Sequence, residues 1–333
     1  MKKFLIIQTA FIGDVVLATA LIEKLSSFFP KASIDVLVRK GNEGLLKNNP
    51  HIHQVLIWNK KEKKIINLLK VLIFIRRNKY DTVINLQRFF ATGLLTAFSN
   101  AKQRIGFDKN PLSFLFSQRI KHRIEQGIHE VERNNDLIKS FTNNSRNKPK
   151  LYPSAEDIKE VSKYKTVEFI TITPSSVWFT KQYPKDKWIE FINQVPENLQ
   201  IYLLGGPDNI DDCNLILNES IHKKITNLAG KLGFLQSAAL MKDARMNFTN
   251  DSAPLHFATA VNAPVTAIFC STIPGFGFTP LSDISIIVET IEPLSCRPCG
   301  LHGYNKCPLG HFKCATTIQT IQLLNTISDE SRF

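Results

Sequence analysis

Several short segments of the chain bring together residue types that can do chemistry. The first is Gln8-Thr9-Ala10-Phe11-Ile12-Gly13-Asp14, where an apolar run gives way to a glycine and a single carboxylate. Gly13 suits a tight passage from strand to helix, and Asp14 would face the positive end of that helix. A carboxylate so placed serves either as a capping residue or as a general base at the mouth of a ligand cleft. The second is Lys181 in Trp178-Phe179-Thr180-Lys181-Gln182-Tyr183-Pro184. It is a solvated surface charge or, if turned inward, a point charge suited to a diphosphate. The third is Thr249-Asn250-Asp251-Ser252-Ala253-Pro254-Leu255-His256, small polar residues running into a helix with proline near its first turn. The unpaired N–H groups of such a turn attract anions, and Ser252 adds a hydroxyl. Capping by Asp251 or Ser252 is the plainer alternative. His256 fits a core position or a phosphate or sugar contact equally well.

Two further segments are compositional. Lys60-Lys61-Glu62-Lys63-Lys64 is either a solvated face or a contact for phosphates and carboxylates. The cysteines Cys296, Cys299, Cys307 and Cys314 follow the spacing C-x2-C-x7-C-x6-C, with His302 and His311 interleaved. Tetrathiolate zinc sites use C-x2-C pairs, but only one such pair is present, so a reduced structural cluster competes with a structural zinc. Cys213 and Cys270 stand apart in sequence and read as small buried hydrophobes.

The elements that must position these residues alternate. Lys3–Gln8 carries the unbroken apolar run of a strand buried on both faces. Val15–Phe29 has helical spacing and ends at Pro30. Strands at Ser33–Val38 and Tyr80–Leu86 follow, with a helix between the lysine run and Arg77. Residues 141–150, FTNNSRNKPK, lack apolar periodicity and read as a linker or surface loop. A second alternating set begins with strands at Val167–Thr173 and Leu199–Leu204, the latter entering Gly205-Gly206-Pro207. Met246–Thr249 reads as a strand, Ala253–Val261 as a helix, Pro264–Phe269 as a strand and Thr316–Ser328 as a closing helix. The expectation is an α/β chain of two Rossmann-like domains, 1–150 and 151–333, facing a central cleft. Ligands would lie at the carboxyl ends of the strands.

Bulk properties narrow the class. The chain has 333 residues, more than one core usually supports, and a hydrophobic share of 43%, which excludes wholesale disorder. A net charge of +13 favours an anionic partner: nucleic acid, a membrane surface or a phosphorylated substrate. No long apolar run ends in a cleavage site, and Ile65–Ile75 is too short and too interrupted to span a bilayer. The expected location is cytoplasmic.

As an ordered set, these segments resemble glycosyltransferase family 9, the ADP-heptose:lipopolysaccharide heptosyltransferases. The resemblance runs from Ile12-Gly13-Asp14 through Asp81-Thr82-Val83-Ile84-Asn85-Leu86-Gln87, Arg104-Ile105-Gly106-Phe107 and the Lys181–Trp188 segment. It continues to Leu228-Ala229-Gly230-Lys231 and Asn250–His256. The segment Cys296-Arg297-Pro298-Cys299-Gly300-Leu301-His302-Gly303 is similar to a subset of that family. The resemblance implies a GT-B fold and inverting, metal-independent transfer from ADP-heptose, with no required cofactor. It implies Asp14 as catalytic base beside Gly13, Lys181 on the diphosphate, and Gly205, Asp208, Asp251, Ser252, Ala253 and His256 around the donor. Lys60, Lys61, Lys63 and Lys64 would then meet an anionic lipid-linked acceptor of lipid A/Kdo type at the inner membrane face. The departures are Asn209 after Asp208, with Asp211 and Asp212 nearby, and Ala253 where glycine is common. Alanine tolerates positive φ poorly, so the donor loop would differ there. The cysteines, beyond the donor motifs in sequence, are expected to matter more to stability than to catalysis. Within the enzyme class the alternative is a family member using another nucleotide sugar or extending another glycan.

Two readings from other classes compete. A Rossmann oxidoreductase is disfavoured by the absent G-x-G-x-x-G and would be rescued by tight NAD binding. A basic nucleic-acid-binding protein is disfavoured because the lysines are clustered rather than interleaved with stacking aromatics.

Overall fold

The computed structural model describes residues 1–124 and 127–328. It divides into two compact units, Met1–Tyr152 and Pro153–Phe333.

The first unit contains β1 (Lys3–Ile7), α1 (Ile12–Phe28), β2 (Ser33–Arg39), β3 (Gln54–Trp58), α2 (Lys64–Asn78), β4 (Thr82–Asn85), α3 (Phe90–Ala97), β5 (Gln103–Phe107), β6 (Gln118–Ile120) and α4 (Glu130–Asp136). Its sheet has the order β3-β2-β1-β4-β5-β6, and every neighbouring pair is parallel. Phe4, Leu5, Ile6 and Ile7 are fully buried, as the centre of a parallel sheet covered on both faces requires. Leu68, Val71, Leu72 and Ile75 of α2 pack onto Leu5, Ile7, Leu37 and Trp58.

The second unit contains α5 (Ala155–Ser162), β7 (Phe169–Thr173), α6 (Lys185–Ile192), β8 (Gln200–Leu203), α7 (Ile210–Glu219), β9 (Ile225–Asn227), α8 (Phe234–Lys242), β10 (Met246–Asn250), α9 (Ala253–Ala260), β11 (Val265–Phe269), β12 (Ser285–Glu289), α10 (Lys313–Thr316) and α11 (Thr320–Ser328). Its order, β12-β11-β10-β7-β8-β9, is the first sheet's order read from the other edge. All its pairs are parallel too. Each sheet winds outward from its first strand and then restarts on the other side. The direction of winding therefore switches between β1 and β4, and between β7 and β10. Ligands of open α/β sheets bind beyond the strand ends at such points.

Three expectations change. Helix α1 starts at Ile12, so Gly13 and Asp14 lie inside its first turn, and Gly13 is not among the positive-φ glycines. The expected closing helix is two helices, broken at residues 317–319. Of the two alternatives for residues 141–150, the surface loop holds and the free linker does not. Phe141 stacks on Phe4, and fully buried Lys24 donates to the carbonyls of Asn143 and Ser145 at 2.6 and 2.8 Å.

Candidate functional site

In the first unit the loop after β1 is stitched from several sides. Lys60 Nζ donates to Thr9 O at 2.7 Å and Thr9 Oγ1 at 3.0 Å. Asn42 Nδ2 donates to Ala10 O at 3.0 Å, and Gln87 Nε2 to Gln8 Oε1. These bonds fix the entry to α1, whose N-cap is Phe11 with no side-chain cap. Asp14 does not occupy the N-cap position; it is a half-buried carboxylate three residues on, in the first turn. There it meets the partial positive charge of the helix start.

The lysine run divides. Lys60 is turned inward, with Nζ 4.7 Å from the centroid of Trp58, while Lys61, Lys63 and Lys64 are exposed. Burial, reinforced by Arg39 and Lys64, pulls the Lys60 pKa down to about 8. The run is thus one site residue followed by a surface patch.

The sequence reading missed a group of buried polar side chains. Asn85 Nδ2, Gln87 Oε1, His122 Nδ1, both amide atoms of Asn134 and Asn135 Oδ1 have no hydrogen-bond partner among the described residues. Asn85 ends β4, Gln87 follows it, and His122 follows β6. The His122 ring meets Phe107, the last residue of β5, edge-on at 4.7 Å. Burial and the nearby cations Arg88, Arg133 and Lys109 push its pKa down to about 4. Buried polar atoms without partners are costly, and Asn85, Gln87 and His122 lie at the carboxyl ends of strands in one half of the first sheet, with cations near His122. The available signal was the polar composition of residues 85–88 and of residues 129–135, His129-Glu130-Val131-Glu132-Arg133-Asn134-Asn135.

In the second unit Asn250, fully buried at the end of β10, accepts from Tyr183 N at 2.9 Å and donates to Pro174 O at 2.7 Å. These bonds clamp the segment 174–183, which carries Lys181, over the strand end. Lys181 Nζ lies 2.7 Å from Asp251 Oδ2, and their side chains are only 14% and 8% exposed. Lys181 is therefore no solvated charge. Thr272 Oγ1 donates to the same carboxylate oxygen at 2.7 Å. Ser252 is the N-cap residue of α9 by backbone geometry, yet no side-chain bond caps the helix, and Pro254 lies in the first turn. The hydroxyl oxygens of Ser252, Thr249 and Thr173 lack partners among the described residues. A lysine, a helix start and three hydroxyls thus collect at the β7/β10 switch point. That collection suits a phosphate-bearing ligand.

Ala253 is the first residue of α9 and is absent from the positive-φ residues, so alanine costs this loop nothing in strain. His256 is buried further along α9. Gly205 follows β8, and a Cβ there would approach Asn209 Cβ to 2.8 Å. Asp208 is exposed in a short turn at Pro207–Asn209, and Asp212 is paired with Lys185. A cavity of about 480 Å³ beside this turn is lined by Ile210, Asn214, Asn227, Gly230 and Lys231, among others. Its lining includes neither Lys181 nor Asp251, so it is distinct from the switch-point site.

The cysteine-rich segment is not remote from that site. Arg297 donates to the carbonyls of Phe269, Cys270 and Thr272, at 3.1, 2.7 and 2.7 Å, and to Glu289 Oε2 at 2.6 Å. Tyr304 N donates to Thr180 Oγ1 at 2.8 Å, and Thr180 N returns a bond to Tyr304 O at 3.1 Å. Gly303 has φ +75°, and a Cβ there would come within 2.8 Å of Thr180 Oγ1 and 3.1 Å of Lys181 Cγ. The segment is therefore a support for the residue beside Lys181. All the cysteines are free thiols. Burial, then its neighbours Cys299, Cys307 and Cys296, push the Cys314 thiol up to about 12 despite Arg297 nearby. Cys270, expected to stand apart, feels Cys314 as well. Among the described residues no group of three or more His, Cys, Asp or Glu is set to hold a metal ion.

Comparison with known proteins agrees with this layout. The description Glycosyltransferase family 9 (heptosyltransferase) matches residues 69–302. The chain is 30% identical over 277 residues to lipopolysaccharide heptosyltransferase 3 of Escherichia coli, covering 79% of this chain and 82% of that one. Its fold matches a family 9 glycosyl transferase from Veillonella parvula DSM 2008 with TM-score 0.85, at 20% identity and over 98% and 96% of the two chains. It also matches E. coli ADP-heptose lps heptosyltransferase II with TM-score 0.80, at 21% identity and over 98% and 97% of the two chains. Two Rossmann-like units, each with a polar site at its switch point, are the GT-B class of fold, and the chain belongs to glycosyltransferase family 9, the heptosyltransferases.

Proposed function

We propose that this enzyme transfers a heptose from ADP-heptose to the inner core of a lipopolysaccharide, with inversion at the anomeric carbon and without a metal ion. The observation that supports the reading best is the division of labour between the switch points. One carries a single first-turn carboxylate, and the other a buried lysine at a helix start. Asp14 takes the proton of an acceptor hydroxyl while that oxygen forms a bond to the anomeric carbon. The bond from that carbon to the β-phosphate oxygen breaks, its electron pair leaves with ADP, and one in-line displacement inverts the centre. ADP needs charge neutralisation rather than protonation. Lys181 and the N–H groups at the start of α9 supply it, with Asp251 holding Lys181 in place. Lys60, Arg39, Arg88 and Lys109 suit an anionic, lipid-linked acceptor of lipid A/Kdo type, met at the cytoplasmic face of the inner membrane. The names of the relatives, which include lipopolysaccharide and ADP-heptose, point the same way.

The test is calorimetry with ADP, UDP, GDP and NAD, followed by transfer from ADP-heptose to a deep-core lipopolysaccharide in the presence of a chelator. Preference for ADP, and product of inverted configuration by NMR, are expected. Preference for UDP, or activity abolished by the chelator and restored by a divalent cation, would overturn the donor or the mechanism.

A further inference from the structure

Helix α2 is apolar on two faces, and the fold covers one. Leu68, Val71, Leu72 and Ile75 face the core of the first unit. Ile65, Ile66, Leu69 and Ile73 are left 72%, 52%, 50% and 50% exposed. Positions 65, 69 and 73 are four residues apart, and 66 and 69 are three apart, so these side chains share one stripe. A surface helix normally turns charged residues outward, yet α2, KIINLLKVLIFIRRN, contains no Asp or Glu. Its charges are Lys64, Lys70, Arg76 and Arg77, all exposed, and exposed Lys61 and Lys63 precede it. Glu62, in the preceding turn, accepts from Asn59 Nδ2 at 3.3 Å. Helix α3 packs beside α2, and exposed Phe89 and Phe90 stand at its start.

We infer that α2 is the element by which this chain lies on an anionic lipid bilayer, with Ile65, Ile66, Leu69 and Ile73 entering the headgroup boundary between flanking cations. An exposed apolar stripe edged by lysine and arginine is the pattern of an interfacial helix, and aromatic side chains favour the same depth. At 15 residues the helix is about 22 Å long, too short to cross a membrane and suited to lying flat. No helix among the described residues is long and apolar enough to span. Charge selects the occupant. A second copy docked on this stripe about a twofold axis would bring like cations face to face, whereas an anionic leaflet neutralises them. Lys60, turned in toward Thr9, is not part of this surface. The inference rests on the proposed lipid-linked acceptor but is tested by membrane binding rather than by transfer, so the two fail separately.

The experiment is sedimentation of the full chain with vesicles of phosphatidylcholine, with and without phosphatidylglycerol. Wild type is expected to bind the anionic vesicles and to release them at high salt. The triple variant Ile65→Ser, Leu69→Ser, Ile73→Ser should partition at least about 30-fold more weakly. Its melting temperature and its turnover of a delipidated acceptor should stay at wild-type values, since these side chains are exposed and outside the proposed site. As an independent reading, brominated lipids should quench Leu69→Trp more than wild type. Unchanged vesicle binding in the triple variant would overturn the inference. So would a wild-type dimer that the triple variant converts to monomer without any vesicle binding, because the stripe would then join two copies of the chain.

Discussion

The two switch points are built on the same winding and solve opposite electrostatic problems. In the first unit the buried polar atoms beside β4 and β6 lack partners among the described residues, and Lys60, bonded to Thr9 in the loop after β1, sits where its charge is weakly held. In the second unit the cation is already neutralised, because Lys181 rests on Asp251 and Asp251 also accepts from Thr272. A site of unsatisfied amides gains hydrogen bonds when a polar ligand arrives. A site with a satisfied ion pair holds its lysine in one place and gives it to a phosphate only by sharing it. On the proposed assignment, the same fold adapts to a variable acceptor on one side and an invariant diphosphate on the other.

The strongest way to break this contrast is at Asp14. Asp14→Asn keeps the shape of the first turn but removes the proposed base. Transfer should fall at least about 10²-fold, while ADP affinity by calorimetry stays within about twofold. Retention of more than about a tenth of the rate would return Asp14 to a dipole-matching role. Next comes Lys181→Ala, which leaves a nearly buried carboxylate unpaired. Stability should drop by about 3 kcal/mol in urea denaturation, the low end for a broken buried pair because Lys181 keeps some exposure. Donor KM should rise and kcat fall together. Adding Asp251→Asn should restore much of the stability and none of the activity. If the single variant were as stable as wild type, the ion pair would not hold the site together.

A third test uses pH. Lys60 loses its proton near pH 8 rather than near 10.5, so the acceptor KM should climb between about pH 7.5 and 9, and Lys60→Met should flatten that climb. The sign for folding is the reverse. Between these two pKa values the unfolded chain binds the extra proton, so this residue makes stability rise with pH there. A KM profile identical in wild type and Lys60→Met would remove Lys60 from the acceptor site. The smallest expected effect compares Gly303→Ala with Gly300→Ala. Both have positive φ, so each costs about 1 kcal/mol in backbone strain. Only the Cβ at 303 would crowd Thr180 and Lys181. Both should lower Tm by a few degrees, but only Gly303→Ala should raise the donor KM. Equal KM values would mean that the cysteine-rich segment supports the fold alone.

What the sequence made legible was whatever depends on neighbours in the chain. Phe4–Ile7 read as a central strand because burial on both faces leaves no polar alternation, and Pro254 with Ser252 marked the start of α9. The edge strand β3 escaped because Gln54 and Ile57 are exposed and break any simple pattern. Its counterpart β12 escaped for the same reason. At the sites, Asp14, Lys181 and Asp251 were named from their motifs. The bond between Lys181 and Asp251 joins residues far apart in sequence, and nothing local announces it. The inward turn of Lys60 depends on Thr9 at the end of a different strand. Gly303 against Thr180 depends on how the chain returns after β12. Residues 141–150 read as a linker because their tether, Lys24, lies on the first helix.

The repeated strand order also has a consequence for how such an enzyme changes over time. Each unit completes its own six-stranded parallel sheet and carries its own switch point. A substitution near β4–β6 perturbs a core that shares no residue with the one around β7 and β10. On the proposed assignment, new acceptors can therefore be explored without relearning how to hold a nucleotide. Two separate cores act as a firewall against epistasis between packing changes in one unit and packing in the other.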